Sequence, residues 1–229
     1  VYINESNLKL EDINVMLGHS LGEYTALACS NKISLKDCSL ILKKRGELMN
    51  NAVKPNETGM AALIGKDANI IQKIIDENKL NVEIANDNSP MQIVISGLKE
   101  DILLSKDFFL SNNVKKYVEL NVSAAFHSKF MINAQLELSE KIEGLNFYEN
   151  KINIISNFDA NPHNDTVSIK KNLKNQMANR VNWTKSIKNL ELMKETNILE
   201  IGPGKVLSGL ISRISKNFDI KSINQISDL

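Results

Sequence analysis

A pentapeptide of the form Gly-x-Ser-x-Gly, residues 18–22, lies between a short apolar run and a segment rich in Ala and Leu. The apolar run, residues 12–17, predicts a buried strand, and residues 20–29 predict a helix. Glycines at both ends would allow a turn too sharp for a residue with a Cβ, so Ser20 is expected to stand above a sheet. The pattern favours a serine nucleophile over the alternative, a tight turn whose serine only caps the helix.

A serine nucleophile needs a base, and the chain contains three histidines. The side chain of His19 is expected to diverge from Ser20, and His163, in a turn-rich polar segment, is expected to be solvated. His127 lies at a predicted strand-to-helix junction, where a helix N-terminus disfavours the imidazolium and suits a neutral base. We therefore interpret His127 as the base, with a packed polar residue as the alternative. The N–H of Leu21, at the start of the helix, is a candidate oxyanion donor.

Ser34, followed three residues later by Asp37, predicts an N-cap for a helix over residues 35–51. Arg45 lies on the apolar face of this helix, three or four residues from Ile41, Leu48 and Met49. A charge on a buried face requires an anionic partner, and the guanidinium fork suits a carboxylate. Two partners remain open from the sequence. One is a structural Asp or Glu elsewhere in the chain, and the other is a substrate carboxylate beside Ser20.

The charge balance argues against several classes of partner. The chain has 28 basic and 27 acidic residues, and this balance attracts neither nucleic acid nor an anionic membrane surface. No apolar run reaches the roughly 20 residues of a membrane helix. Cys29 and Cys38 have no metal-type spacing, and two cysteines do not indicate a disulfide scaffold. We therefore expect a cytoplasmic protein with no metal site and with neither nucleic acid nor a membrane as partner.

After residue 121 the patterns predict helices over residues 128–145 and 168–179 and a strand over residues 197–201. Strands alternate with helices along most of the chain, which is typical of an α/β fold with a mostly parallel sheet. Residues 58–121 differ, because their predicted order is β-α-β-β-α-β with a turn over residues 86–90. That order is ferredoxin-like. We therefore predict an α/β core formed by residues 1–57 and 122–229, with a ferredoxin-like subdomain at residues 58–121.

Seven stretches together resemble one family, the malonyl-CoA:acyl-carrier-protein transacylases of fatty acid synthesis. They occur in the family's order and span almost the whole chain. They are GHSLGEYTALA (18–28), KRGELM (44–49), GMAALIG (59–65), ANDNSPMQIVISG (85–97), VSAAFHSKFM (122–131), QMANRVNW (176–183) and EIGPGKVLSGL (200–210). The resemblance implies an α/β-hydrolase-like core with an inserted ferredoxin-like subdomain.

The resemblance also implies a role for each matching residue. Ser20 would be the acylated nucleophile and His127 its base, while Arg45 would hold the free carboxylate of the malonyl group. Leu21 would donate an oxyanion N–H, and the main-chain carbonyl of Gln176 would accept the ring N–H of His127. A carbonyl acceptor fixes the imidazole tautomer without an Asp, so the pair would act as a Ser–His dyad.

The implied reaction is malonyl transfer from malonyl-CoA to the phosphopantetheine thiol of acyl carrier protein, in fatty acid biosynthesis. Coenzyme A enters as a thioester substrate, and no cofactor is expected. Phe126, directly before the base, indicates malonyl rather than methylmalonyl within the resembling family. Two alternatives remain open. One is a serine hydrolase or thioesterase, which would normally add an acid to orient the histidine, and the other is an inactive carrier-binding remnant.

Two further expectations follow from the resemblance. Five cations could dock an acidic carrier, although ordinary solvated charges explain them equally well; they are Lys129, Arg180, Lys185, Lys205 and Arg213. The family's opening segment holds a first core strand and a Gln whose N–H is a second oxyanion donor, and we interpret this chain as lacking that segment. We therefore expect the chain, made alone, to be poorly stable or weakly active.

Overall fold

The computed structural model describes residues 9–228, and their strands form three sheets. The helices are α1 (Leu21–Cys29), α2 (Leu35–Asn51), α3 (Ala68–Glu77), α4 (Lys99–Ser111), α5 (Ile132–Glu143), α6 (Thr166–Lys174), α7 (Trp183–Leu192) and α8 (Val206–Ile214). The strands are β1 (Val15–Met16), β2 (Thr58–Ile64), β3 (Val82–Ser89), β4 (Gln92–Leu98), β5 (Lys116–Leu120), β6 (Asn153–Ile155), β7 (Pro162–His163), β8 (Asn197–Ile201) and β9 (Asp219–Ile223). Short 3-10 turns cover Leu10–Asp12, Lys129–Met131 and Ile226–Asp228.

The α/β core contains the parallel strand pairs that the alternation predicts. Strand β1 pairs parallel with β6, which pairs antiparallel with β7, and β8 pairs parallel with β9. Helices α1, α2, α5 and α6 supply a shared apolar core that includes Leu27, Ile41, Leu138 and Leu173. The mixed α/β fold class is confirmed. The expected single sheet is instead two small sheets within the described residues, and strand β9 was not predicted.

The ferredoxin-like order is also confirmed. Its four strands form an antiparallel sheet in the order β3-β4-β2-β5. Helices α3 and α4 place Ile71, Ile75 and Phe109 against Ile93 and Ile95 of β4, which gives this part of the chain its own apolar core. The division of the chain at residues 57/58 and 121/122 stays a prediction.

The predicted turn over residues 86–90 is wrong, because β3 continues through Ser89. Asn86 and Asp87 stay in register with β4, with bulges on either side. They also pair with a segment distant in sequence, since the Asp87 N–H donates to the Val181 carbonyl and the Val181 N–H donates to the Ala85 carbonyl. Polar residues remain in this strand because a neighbour on its other edge satisfies the backbone, which local sequence does not reveal.

Two helix boundaries differ in a way that matters for the site. The helix predicted over residues 128–145 starts as a 3-10 turn, and α5 itself begins at Ile132. The helix predicted over residues 168–179 ends at Lys174. The residues after α6 therefore leave main-chain carbonyls free for other partners. No helix within residues 9–228 has the length and apolar character needed to span a membrane.

Candidate active site

The turn between β1 and α1 holds Ser20 in a strained backbone conformation. Its φ is 51° and its ψ is −103°. A Cβ at Gly18 would lie 2.1 Å from the carbonyl carbon of Gly22 and 2.2 Å from the oxygen, so only glycine fits there. A Cβ at Gly22 meets open space, so the expectation that both glycines are sterically required is wrong for Gly22.

Asn157, two residues beyond the end of β6, holds this turn from outside. Its Oδ1 accepts the Ser20 N–H at 2.6 Å, and its Nδ2 donates to the Gly18 carbonyl at 2.8 Å. Because β1 and β6 are parallel, their carboxyl ends lie at the same edge of the sheet, where sites form in α/β folds. The structure therefore brings Ser20 and Asn157 together across 137 residues of sequence.

His127 is the histidine that reaches the Ser20 hydroxyl. Its Nε2 lies 2.8 Å from Ser20 Oγ. Its Nδ1 lies 3.1 Å from the carbonyl oxygen of Gln176 and 3.2 Å from that of Asn179. Two acceptors at Nδ1 place the proton there and leave Nε2 as the lone pair that faces the hydroxyl. Both carbonyls come from the segment after α6.

The neutral state of His127 has a different cause from the one expected. The pKa of His127 is lowered to about 3, mainly by burial and in smaller part by the nearby charges of Arg45 and His19. The predicted cause was a helix N-terminus, but the residue precedes only a 3-10 turn, at a φ of 55°. Desolvation of the imidazolium is therefore the main reason that the ring stays neutral.

Arg45 is 5% exposed, on the inner face of α2, as its spacing predicts. Its Nη2 donates to Ser20 Oγ at 2.9 Å and to the side-chain oxygen of Gln176 at 3.3 Å. Its guanidinium lies 5.5 Å from the ring centroid of Tyr24. Its Nε–H is buried without a hydrogen-bond acceptor. No ion pair within residues 9–228 joins Arg45 to a carboxylate. The acid nearest in effect is the buried Glu23, whose charge interacts with that of Arg45 and whose carboxylate contacts the same Gln176 side chain.

Gln176 contacts the site through its side chain as well as its carbonyl. Its Nε2 donates to the Ser20 carbonyl and to Glu23 Oε2, both at 2.8 Å. Glu23 Oε2 also accepts the N–H of Asn157 at 3.0 Å. Burial raises the pKa of Glu23 to about 7, although these two donors and Arg45 oppose the shift. One buried carboxylate thus links the turn, the end of β6 and the segment after α6.

Of the remaining predicted residues, Leu21 lies at the reactive turn, whereas the other two histidines bond to side chains elsewhere. The Leu21 N–H starts α1 and has no acceptor within the described residues, so it is available to an oxyanion. His19 bonds elsewhere, with its Nε2 2.7 Å from Asn88 Oδ1. His163 is half-buried rather than solvated, and its Nε2 lies 2.8 Å from Asp159.

The five candidate docking cations are not all free. The Lys129 ammonium lies 3.6 Å from Glu83, and Arg180 donates to Asn182 at 3.0 Å. Lys185 donates to the Asp159 carbonyl, and Arg213 donates to Gln92. Their role in docking stays a prediction. Within the described range, no group of three or more His, Cys, Asp or Glu side chains is arranged to hold a metal ion.

Sequence reasoning missed Asn157 and Glu23. Glu23 had a detectable signal, because it lies three and four residues before the buried Ala26 and Leu27 on α1, as Arg45 does on its own helix. Asn157 had a weaker one, since it is a polar residue beyond the carboxyl end of a buried strand. Neither signal identifies the partner.

Comparison with known proteins agrees with this geometry. The family described as Acyl transferase domain matches residues 12–226. The malonyl CoA-acyl carrier protein transacylase of Bacillus subtilis (strain 168) is 38% identical over 202 residues, which cover 87% of this chain and 64% of that protein. The polyketide biosynthesis malonyl CoA-acyl carrier protein transacylase PksC of the same strain is 39% identical, over 87% of this chain and 69% of its own length. The chain thus spans just under two thirds of the first of these relatives.

Solved structures give the same result. The crystal structure of acyl-carrier-protein-S-malonyltransferase from Bartonella henselae is 33% identical and superposes with a TM-score of 0.93. The match covers 99% of this chain and 73% of that one. Sequence and fold agree over nearly all of the described residues, so this chain belongs to the acyl transferase domain family.

Proposed function

We propose that this protein transfers a malonyl group from malonyl-CoA to the phosphopantetheine thiol of an acyl carrier protein, through a malonyl-serine intermediate. The observation that carries the proposal is the Arg45 guanidinium, which is buried 2.9 Å from Ser20 Oγ and makes no direct ion pair with a carboxylate of residues 9–228. A buried charge without a direct ion pair is costly, so the site favours an acyl group that brings an anion.

The chemistry of malonate fits that position. In a malonyl-serine ester the free carboxyl carbon is three bonds from the serine oxygen, close to the place where the guanidinium already contacts that oxygen. A carboxylate there would pair with the fork and give the Nε–H of Arg45 an acceptor. An acetyl group has no such oxygen atoms and would leave the guanidinium unpaired.

The first half-reaction forms the acyl-enzyme. Nε2 of His127 takes the proton of Ser20 as Oγ attacks the thioester carbonyl, and the Leu21 N–H stabilises the resulting oxyanion. The tetrahedral intermediate then breaks its C–S bond, and the proton on His127 goes to the sulfur of coenzyme A. The Gln176 and Asn179 carbonyls hold the imidazolium while it exists.

The second half-reaction reverses the roles. The thiol of the carrier's phosphopantetheine arm gives its proton to His127 and attacks the ester carbonyl of malonyl-serine. The C–O bond to Ser20 breaks, and the proton returns from His127 to Oγ. The sequence of steps is a ping-pong acyl transfer that needs no cofactor.

The contacts of His127 also bear on the hydrolase alternative. Its Nδ1 faces two carbonyl oxygens, where a typical serine hydrolase places a carboxylate. This supports a Ser–His dyad. Ser20, Arg45 and His127 are all present and in hydrogen-bond contact at Ser20 Oγ, which supports an active protein over a carrier-binding remnant.

The carrier and the pathway are a finer part of the proposal. Both relatives compared above carry acyl carrier protein in their names, and one of them belongs to polyketide biosynthesis. We propose a fatty acid carrier as the acceptor. A comparison of transfer rates to fatty acid and polyketide carrier proteins tests this choice. Location in the cytoplasm stays a prediction.

Intact-mass spectrometry after mixing with malonyl-CoA tests the main proposal. We expect a malonyl adduct on the chain and none on Ser20→Ala. Arg45→Ala should reduce the malonyl-to-acetyl rate ratio at least about 30-fold, because losing one partner of a buried charge pair costs about 2 kcal/mol or more. Lys43→Ala, which removes an exposed cation from the same helix, is the matched control.

Three results would count against the proposal. The first is an unchanged malonyl-to-acetyl ratio in Arg45→Ala, which would remove the role of the guanidinium. The second is an adduct that persists in Ser20→Ala, which would exclude this nucleophile. The third is release of free malonate faster than transfer to a carrier thiol, which would favour the hydrolase.

A further inference from the structure

We propose that the side chain of Asn157, a residue whose main-chain N–H is held by the carboxylate of Glu23, is the positioning group that fixes the Ser20 turn in its reactive shape. The inference rests on the proposed role of Ser20 as the nucleophile. Neither residue touches the reacting atoms in the mechanism above. Both would act by setting where the hydroxyl and the neighbouring N–H groups point.

One amide group secures both sides of the turn. Asn157 accepts the N–H of Ser20 at 2.6 Å and donates to the carbonyl of Gly18 at 2.8 Å. The peptide groups it joins lie on either side of His19. Ser20 has backbone angles that residues with a Cβ rarely adopt, so its conformation must be maintained by contacts from outside the turn. Asn157 is buried and supplies two such contacts.

The same contact selects the oxyanion donor. With its N–H bound to Asn157, Ser20 cannot offer that group to the acyl oxygen. The next N–H along the chain, that of Leu21, has no acceptor within residues 9–228 and starts α1. Asn157 therefore determines which of two adjacent donors faces the substrate. A turn without this contact would present the hydroxyl and the donor with altered geometry.

Glu23 in turn fixes Asn157. Its Oε2 accepts a hydrogen bond from the main-chain N–H of Asn157 at 3.0 Å and another from Nε2 of Gln176 at 2.8 Å. Glu23 lies in the first turn of α1, three residues after Ser20. The carboxylate thus ties the helix that begins at the nucleophile to the two segments that contact Ser20 and His127. Both of its bonds need an acceptor oxygen, which Gln retains and Ala lacks.

Four variants test the proposal. Asn157→Ala removes both bonds to the turn, while Glu23→Ala and Glu23→Gln separate the loss of the acceptor from the loss of the charge. Asn150→Ala is the matched control, because Asn150 also bridges two backbone groups, donating to the Ser30 carbonyl and accepting the Ile152 N–H. Ser30 follows the far end of α1, roughly 14 Å from its start, so this bridge is remote from Ser20.

Two readouts are needed for each variant. One is the rate of malonyl adduct formation at increasing malonyl-CoA, which separates the saturating rate from the half-saturating concentration. The other is labelling by an alkyl fluorophosphonate probe. In that reaction Oγ bonds to phosphorus, the P–F bond breaks, fluoride leaves and His127 takes the hydroxyl proton. The probe has no malonyl group, so it reports on the nucleophile without the carboxylate site.

We expect Asn157→Ala to slow the saturating malonylation rate and the probe labelling rate about 100-fold or more, as a displacement near 1 Å would. The half-saturating malonyl-CoA concentration should change little. Asn150→Ala should keep both rates within about threefold of wild type, even where it lowers the melting temperature. Malonylation and probe labelling should both be at least about tenfold faster in Glu23→Gln than in Glu23→Ala.

Two outcomes would overturn the proposal. One is a folded Asn157→Ala whose two rates stay within threefold of wild type. The other is equal slowing by Asn157→Ala and Asn150→Ala, which would make the effect general destabilisation. If circular dichroism shows Asn157→Ala unfolded, the Glu23 pair decides, and equal rates for the two Glu23 variants would refute the proposal. A wild-type chain that takes the probe but no malonyl group would refute the proposed function alone.

Discussion

Replacing Gly18 or Gly22 by alanine should have opposite effects on stability, although both glycines belong to one pentapeptide. A Cβ at Gly18 would sit 2.1 Å from a backbone carbon of Gly22, about 1.3 Å short of the 3.4 Å at which ordinary contact begins. The obstacle is backbone at the start of α1, which no rotamer change can relieve. A Cβ at Gly22 has nothing within 4 Å and lies in a helix.

The magnitudes follow from these distances. Overpacking typically costs about 1–3 kcal/mol, and displaced backbone places Gly18→Ala at the upper end, near 3 kcal/mol. For a chain of this size that corresponds to a fall of about 6–12 °C in melting temperature. The displaced turn should also slow acylation of Ser20 about 100-fold. Gly22→Ala should gain about 0.5–1 kcal/mol, because alanine restricts the unfolded chain and favours the helix.

Thermal melts followed by circular dichroism give the first readout, and the malonyl adduct rate of Gly18→Ala gives the second. A Gly18→Ala protein that melts within 2 °C of wild type and acylates within about threefold would refute the steric reasoning. A large loss of stability in Gly22→Ala would refute it equally, because open space predicts none.

Three further predictions concern buried ionisable groups. The acylation rate should not fall with a midpoint near pH 6.5, because burial, Arg45 and His19 lower the pKa of His127 to about 3, and the ring stays neutral down to that region. Acylation rates measured from pH 5 to 7.5 check this. They are measured in wild type and in Glu23→Gln, because burial raises the pKa of Glu23 to about 7 and its titration falls in the same range. A fall in rate with a midpoint at pH 6.5 in both proteins would contradict the prediction. The same shift of His127 makes stability fall as the pH drops from 6.5 towards 3, because the unfolded chain then binds a proton that the folded chain does not. Lys32→Met should lower the free energy of unfolding in urea by about 1–3 kcal/mol. Lys32 is 1% exposed and its Nζ donates to the Asn150 and Asn164 carbonyls, which methionine leaves without a donor. An unchanged unfolding midpoint would show that water satisfies the two carbonyls.

The fold was largely predictable where local pattern and tertiary environment agree. Helix α2 begins and ends where its Ser34 cap and apolar spacing place it, and the Asp37 N–H donates to Ser34 Oγ at 3.0 Å. Strand β8 matches its predicted bounds for the same reason. Strand β3 was cut short because its last residues are polar, and the Val181 segment that pairs with them is remote in sequence.

Within the site, the sequence by itself determined the residues that chemistry demands. A glycine-flanked serine between strand and helix, an arginine on an apolar face and one histidine at a loop junction are each exceptional in their local setting. Such exceptions can be read from a single chain because burying a charge or bending a backbone sharply has a cost that ordinary packing avoids.

Only the tertiary structure decided how these residues act together. Ser20 meets His127 across 107 residues and Asn157 across 137, and the second of these contacts left no strong local signal. The cause of the low pKa of His127 was likewise misjudged, because desolvation depends on everything packed around the ring. Spacing along the chain shows which face a side chain occupies, whereas its partners, and hence its charge state, are set by segments that only folding brings together.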